Sequence, residues 1–167
     1  MTRLAIRDTG TALKFNGSSA TIDCGTLNLS GAQISISALI KPTAFATSFP
    51  WINAIIGSGQ SGGTEFALLR FGDAAVPPNR AQFCLRLGAV NVSLTGNTVF
   101  VPNKWYEVTG TYDGATMSIY VNGVLDNSSA QTGAVVSNVN FKIGSANAER
   151  YFSGNQDEGG VWTRGLT

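Results

Sequence analysis

Histidine is absent from this chain. That excludes Ser-His-Asp and Cys-His nucleophilic machinery, imidazole acid–base catalysis and the common zinc sites. Charge is also scarce: charged residues make up 13% of the sequence and the formal net charge is +1. Such a balance excludes binding driven by phosphate neutralisation, so no nucleic-acid partner is expected, and it excludes a polybasic membrane patch. Cysteine appears only at Cys24 and Cys84, in the strand-like stretches ATIDCG and QFCLRL, with no metal-type spacing. They read either as separate buried thiols or as one bridge, which would matter only in an oxidising compartment. No stretch approaches the roughly 20 apolar residues of a membrane-spanning helix, so no membrane insertion is expected. The opening MTRLAIRDTG has no apolar run of signal-peptide length. The abrupt close at Arg164-Gly165-Leu166-Thr167 reads as a fragment of something longer. Helical periodicity is missing as well, since Gly, Pro or β-branched residues interrupt every apolar run before three turns accumulate.

What the chain does have is hydrophobic content of 43% over 167 residues, enough for a single domain spanning 1–167 that buries roughly 70% of its unfolded surface. Its polarity comes from Ser, Thr, Asn and Gly, as in SGQSGGT and DNSSAQTG. Short strand-like segments recur throughout: ALKFN, ATIDC, QISISALIK, INAIIG, EFALLRF, AQFCLRL, NVSLT, WYEVTGTY, ATMSIYV, VLDNS, NFKIGS and GGVWT. Their density, with Gly- and Asn-rich turns between them, predicts an all-β, two-sheet antiparallel sandwich of jelly-roll type. The strongest segment is WYEVTGTYDGATMSIYVNG, Trp105 to Gly123. Val108, Gly110 and Tyr112 alternate on its first arm, and Met117, Ile119 and Val121 on its second. Period-two alternation buries one face and leaves the other wet. Asp113-Gly114 and Asn122-Gly123 supply the tight turns, because these residue types tolerate positive φ. In QISISALIK, Ile34, Ile36 and Ala38 alternate with Ser35, Ser37 and Leu39. Longer loops are expected at Thr43–Trp51, carrying Phe45, Phe49 and Trp51, and at Gly72–Arg80, stiffened by Pro77-Pro78.

For hydrolysis of a glycosidic bond, paired carboxylates are needed roughly 5–9.5 Å apart. On one strand that means acids at i and i+2 or i+4, and no acids here are so spaced. The adjacent pair Asp157-Glu158 should point to opposite sheet faces, so the chain is not expected to be an enzyme. Binding remains. A sugar presents an apolar face and a hydroxyl rim, which aromatic and planar polar side chains match. Trp51, Phe49, Arg70, Arg80, Arg86 and Asn91, with Tyr151 nearby in kind, are the candidate ligand residues; Trp105 and Trp162 read as core or strand-end anchors.

The sequence also resembles a family. ALKFNGSSATIDCG followed by ISISALIKP, then WYEVTGTYDGATMSIYVNG, then FSGNQDEGGVWTRGL are similar, in order, to blocks of the laminin-G-like, concanavalin A-like lectin/glucanase domains, pentraxin-like group. The chain departs from that pattern at Leu39, Gln156 and Gly159-Gly160, and a double glycine allows a bulge or close backbone approach. The resemblance implies a jelly roll that holds glycans or protein surfaces, in a superfamily that includes glucanases. It also implies a Ca²⁺ site at Asp157 with Asn16 and Gly17, whose oxygens suit a hard cation. The expected role is therefore a non-catalytic carbohydrate-binding or adhesion module on a phage virion or bacterial surface protein, extracellular, cell-surface or virion-borne. The alternative is a structural or protein-interaction module such as a decoration, fibre or adhesin domain, for which an oligomer is expected. A glycoside hydrolase ranks last.

Overall fold

The computed structural model describes residues 11–48, 52–59, 65–137, 139–146 and 150–166, together with the backbone of Leu4–Ala5. In chain order the strands are β1 (Leu4–Ala5), β2 (Leu13–Asn16), β3 (Ile22–Thr26), β4 (Ile34–Pro42), β5 (Asn53–Gly59), β6 (Glu65–Asp73), β7 (Val76–Leu87), β8 (Val90–Thr95), β9 (Tyr106–Tyr112), β10 (Thr116–Val121), β11 (Val124–Ala130), β12 (Asn140–Ile143) and β13 (Ser153–Trp162). They form an antiparallel sandwich. Sheet A runs β1-β13-β4-β9-β10-β11, with β2 also paired to β13; sheet B runs β3-β12-β5-β6-β7-β8. No helix occurs among the described residues.

Alternation sets the faces as the sequence predicts. Ile34, Ile36, Ala38 and Ile40 of β4, Val108 and Tyr112 of β9, and Met117, Ile119 and Val121 of β10 all enter one core with Phe83, Leu85, Ile56 and Phe141 of sheet B. In the β9–β10 hairpin Tyr112 faces Met117, Gly110 faces Ile119 and Val108 faces Val121. Asp113 closes it: one carboxylate oxygen accepts the N–H groups of Ala115 and Thr116 at 2.8 and 2.7 Å, which holds the carboxyl below the usual aspartate range. At the next turn Asn122 (φ 52°) and Gly123 (φ 76°) both take the left-handed backbone that a two-residue hairpin requires.

Gly110 has a second role. A Cβ there would lie 2.5 Å from the Phe83 ring of the opposite sheet. The missing side chain is what lets the layers close.

Some sequence expectations are corrected. The Gly72–Arg80 segment is not a long loop: β6 reaches Asp73, the chain turns at Ala74-Ala75, and β7 begins at Val76. Pro77-Pro78 sit where the β6–β7 register slips between Phe71/Ala81 and Asp73/Val76, so no ladder N–H is missed. Phe45 of the Thr43–Trp51 segment packs edge-on to Phe71, ring centroids 5.0 Å apart. The cysteines are free. Cys24 lies on β3 and Cys84 on β7, four strand spacings apart in sheet B, or roughly 19 Å, far beyond disulfide reach.

Candidate functional site

The outer face of sheet A is polar. On β4 and β9 the residues between the core positions are Ser35, Ser37 and Leu39, and Glu107, Thr109 and Thr111; β10 adds Ser118 and Tyr120. They form rungs, with Ser37 opposite Thr109 and Leu39 opposite Glu107. Ser37 and Thr109 hydroxyls are hydrogen-bonded at 2.7 Å. Adjoining hollows open on this face. One, of about 260 Å³, is lined by Glu107, Thr109, Thr111, Tyr120, Gly123 and Leu166. The other, of about 150 Å³, is lined by Ser37, Leu39, Glu107 and Glu158. Glu107 is common to both, so together they make a groove across β13, β4, β9 and β10.

Glu158 reaches this groove through a local irregularity. The β13–β4 register shifts between Asp157↔Leu39 and Gly160↔Ser37. Glu158 is the extra residue, at φ 47°, with its N–H bonded to an Asp157 carboxylate oxygen at 2.8 Å. Bulges re-aim side chains in this way. The expectation that Asp157 and Glu158 face opposite sides of the sheet is therefore wrong: Asp157 pairs with outward-facing Leu39, and the bulge brings Glu158 out beside it. The double glycine has its explanation here as well. Gly159 comes after the bulge and turns inward, toward Ile56, whereas a Cβ on Gly160 would meet the Trp162 indole at 2.5 Å. Trp162, paired with Ser35, is thus a half-buried ring lying back along the outer face, not a core residue. Trp105, 40% exposed, is not core either. Gln156 does point inward, donating across the sandwich to the Ile55 carbonyl at 2.9 Å.

Of the ligand residues expected from sequence, Arg70, Arg80, Arg86 and Asn91 lie on the other side of the molecule. Trp51 and Phe49 fall outside the described residues. Arg70, Arg80 and Arg86 share the outer face of sheet B, because they alternate with the core residues Leu69, Phe71, Ala81, Phe83, Leu85 and Leu87. They are not gathered into one surface. Arg70 is 3% exposed and binds Glu65 at 2.6 Å, with Arg150 on the same carboxylate oxygen at 3.0 Å. Ala54, Leu68, Cys84 and Ala146 form a small buried cluster on this face; burial, with Glu65 adding, pushes the Cys84 thiol well above the ordinary range. Arg86 instead donates to its cross-strand neighbour Asn91 at 2.9 Å, in the open. Arg80 lies six positions before Arg86 on the strand, roughly 20 Å away. Tyr151 contributes its carbonyl to Asn53.

Nor are the implied calcium ligands assembled. Asn16 stands opposite Ser153 in the β2–β13 ladder, four positions and roughly 13 Å along β13 from Asp157. Its side-chain oxygen is already taken by the N–H groups of Ser18, Ser19 and Ala20. Among the described residues no group of three or more acidic, Cys or His side chains could hold a metal. This set does not fit the ion.

With fold and groove described, comparison with known proteins places the chain. The profile of the Laminin_G_3 family, described as concanavalin A-like lectin/glucanases superfamily, matches residues 16–167. The chain belongs to that superfamily. Among curated proteins no sequence matches it. Solved structures share the fold. The chain is similar to domain 4 of AbnA, an extracellular arabinanase from Geobacillus stearothermophilus solved with arabinotriose (TM-score 0.72, 18% identity, 100% of this chain and 78% of that one). It is similar to the CBM40 of a Ruminococcus gnavus sialidase bound to α2,3-sialyllactose (0.67, 15%, 98% and 93%). It is also similar to a heptameric SAP-like pentraxin from Limulus polyphemus (0.65, 16%, 92% and 77%). At such identities the likeness is one of fold. The concanavalin A-like jelly roll expected from sequence is what the chain forms.

Proposed function

We propose that this domain is a non-catalytic glycan-binding module whose binding surface is the groove on the outer face of sheet A. The observation that carries the reading is the lining: carboxylates (Glu107, Glu158), hydroxyls (Ser37, Thr109, Thr111) and an aromatic ring (Tyr120) converge on adjoining open hollows of about 260 and 150 Å³. Sugars need acceptors and donors for their hydroxyls and a flat apolar surface for their C–H face, and sites of this kind place a few polar groups in a largely preformed concavity. Structural neighbours solved in complex with arabinotriose and α2,3-sialyllactose support the same class of ligand. An extracellular, bacterial-surface or virion setting suits such a module. A glycan array and then calorimetry test it. Binding is expected with and without calcium, weakened about tenfold by Tyr120→Ala (roughly 1.4 kcal/mol) and unchanged by Arg86→Ala. An array without a single hit would refute it.

A protein-interaction role is the second reading, and a different surface favours it. Val124 and Leu125 on edge strand β11 are 69% and 53% exposed, and Val99 and Val101 are each 55% exposed. Asp126 accepts the N–H groups of Asn97 and Thr98, which brings the segment carrying Val99 against β11. Exposed apolar groups gathered at a strand edge are a contact surface. Light scattering that shows a defined oligomer, dispersed by Leu125→Lys, would support it; a monomer at every concentration would count against it.

A further inference from the structure

We propose that Asn122 is a site of spontaneous deamidation, converting to aspartate and isoaspartate at the rim of the sheet A groove, while Asn16 is protected by its hydrogen bonds. The modification goes beyond the glycan-binding reading and does not depend on it. Asn16 and Asn122 are the asparagines of this chain that a glycine follows. A following glycine has no Cβ to shield its backbone nitrogen, so that nitrogen can attack the amide carbon of the preceding side chain. Both pairs are exposed, and both glycines hold a left-handed backbone, Gly17 at φ 75° and Gly123 at φ 76°. Neither exposure nor the glycine conformation separates them. Hydrogen bonding does.

At Asn16 the reacting atoms are already committed. The Gly17 N–H, whose nitrogen would be the nucleophile, donates to the Phe152 carbonyl at 2.9 Å. The Asn16 side-chain oxygen accepts from the N–H groups of Ser18, Ser19 and Ala20 at 3.0, 2.9 and 2.9 Å, and its Nδ2 donates to the Ser19 hydroxyl at 2.9 Å. At Asn122 the carbonyl oxygen alone is engaged: Oδ1 accepts the Glu107 N–H at 2.9 Å. That bond favours attack, because it stabilises the negative charge that grows on the oxygen as the amide carbon becomes tetrahedral. The Gly123 N–H and the Asn122 Nδ2 have no partner among the described residues, and the space where a Gly123 Cβ would stand is open. In the reaction the bond from the Gly123 nitrogen to Asn122 Cγ forms, the Cγ–Nδ2 bond breaks, and ammonia leaves with the Gly123 proton. Water then opens the succinimide at either carbonyl, giving aspartate or isoaspartate; nothing is oxidised or reduced. Isoaspartate puts an extra main-chain atom into a turn whose two-residue length sets the strand register. Either product brings a new carboxylate to the larger hollow, which Glu107 and Gly123 line.

The test is ageing of the native domain in mildly alkaline buffer, followed by peptide mapping with mass spectrometry that distinguishes isoaspartate from aspartate. Asn122 should convert at least about tenfold faster than Asn16, which corresponds to roughly 1.4 kcal/mol of barrier. The same ageing in urea removes the hydrogen bonds of both turns, and there the two rates should converge. The acidic species that accumulates in the native sample, separated by ion exchange, should carry isoaspartate at position 122 and melt below the parent. The variant Asn122→Asp, which has the charge without the extra main-chain atom, should melt closer to the parent. Equal rates in the native domain, faster conversion at Asn16, or an Asn122 that stays intact while the urea sample converts would each overturn the proposal. A rate difference of the same size in urea would overturn the role given to the hydrogen bonds. An isoaspartate species as stable as the parent would overturn the effect on the turn.

Discussion

Replacing Gly110 with alanine measures how tightly the sandwich is closed. The new methyl carbon would stand 2.5 Å from Cγ and Cδ2 of Phe83 and 3.0 Å from its Cδ1. Ordinary carbon contacts are roughly 3.5–4 Å, so the ring must retreat by about 1 Å. Phe83 is fully buried, with core residues on every side, and cannot swing into solvent. Inserting a methylene-sized group into a packed core costs about 1–3 kcal/mol. Restricting the unfolded chain by Gly→Ala returns about 0.4–1 kcal/mol, leaving a net loss of about 1–2 kcal/mol. For a domain of this length each kcal/mol moves the melting temperature by about 2–4 °C, so Gly110→Ala should melt about 2–8 °C lower, read by circular dichroism and confirmed by urea denaturation. The cause is tested by pairing. In a Phe83→Leu background the same alanine should cost at least about 1 kcal/mol less, a coupling expected only of residues in contact. An alanine variant as stable as the parent, or costs that simply add in the double variant, would refute the claim that Gly110 sets the intersheet spacing.

Local chemistry sets further outcomes. Asp113 is held below the usual aspartate range by the backbone N–H groups it accepts, so its contribution is present above the unfolded-state value of about 4 and is lost as pH falls through the lower folded value. Asp113→Asn, which keeps an acceptor oxygen but does not titrate, should show a smaller drop in melting temperature between pH 5 and pH 2, both rough bounds on that window; identical acid profiles would contradict this. Cys84 is buried, with its thiol well above the ordinary range, while Cys24 is only partly buried and is raised by burial and by Asp23. Thiol titration of the native protein under mildly alkaline conditions should label Cys24 alone and reach Cys84 only after unfolding. Equal labelling rates would show that the sheet B face is open.

Much of the fold is legible in the sequence because period-two alternation and turn chemistry are local signals. Val108, Gly110 and Tyr112 face the core as their spacing requires, and the Asp113-Gly114 and Asn122-Gly123 turns fall where those residue pairs stand. The polar half of the same alternation, Glu107, Thr109 and Thr111, is equally visible. It becomes a groove only when β13, β4 and β10 are laid beside it, and strand order is not a local property. Glu158 is hidden for another reason. A single inserted residue reverses the facing of every later residue on its strand, so strict alternation misdirects the pair Asp157-Glu158, and only the glycines after it hint at a bulge. The usual exposure of arginine misleads at Arg70, which is an exception because Glu65, five positions earlier on the same strand, is buried with it. The calcium set is not gathered in space: Asn16 pairs with Ser153, four positions along β13 from Asp157, which pairs with Leu39 instead.

The most direct test of the central claim is an amide chemical-shift map of the ¹⁵N-labelled domain, titrated with the tightest oligosaccharide from the array. The account expects the perturbed amides to cluster at Ser37, Leu39, Glu107, Thr109, Thr111, Tyr120 and Glu158, on the outer face of sheet A. Perturbations centred instead on Arg80, Arg86 and Asn91, on the outer face of sheet B, would contradict it.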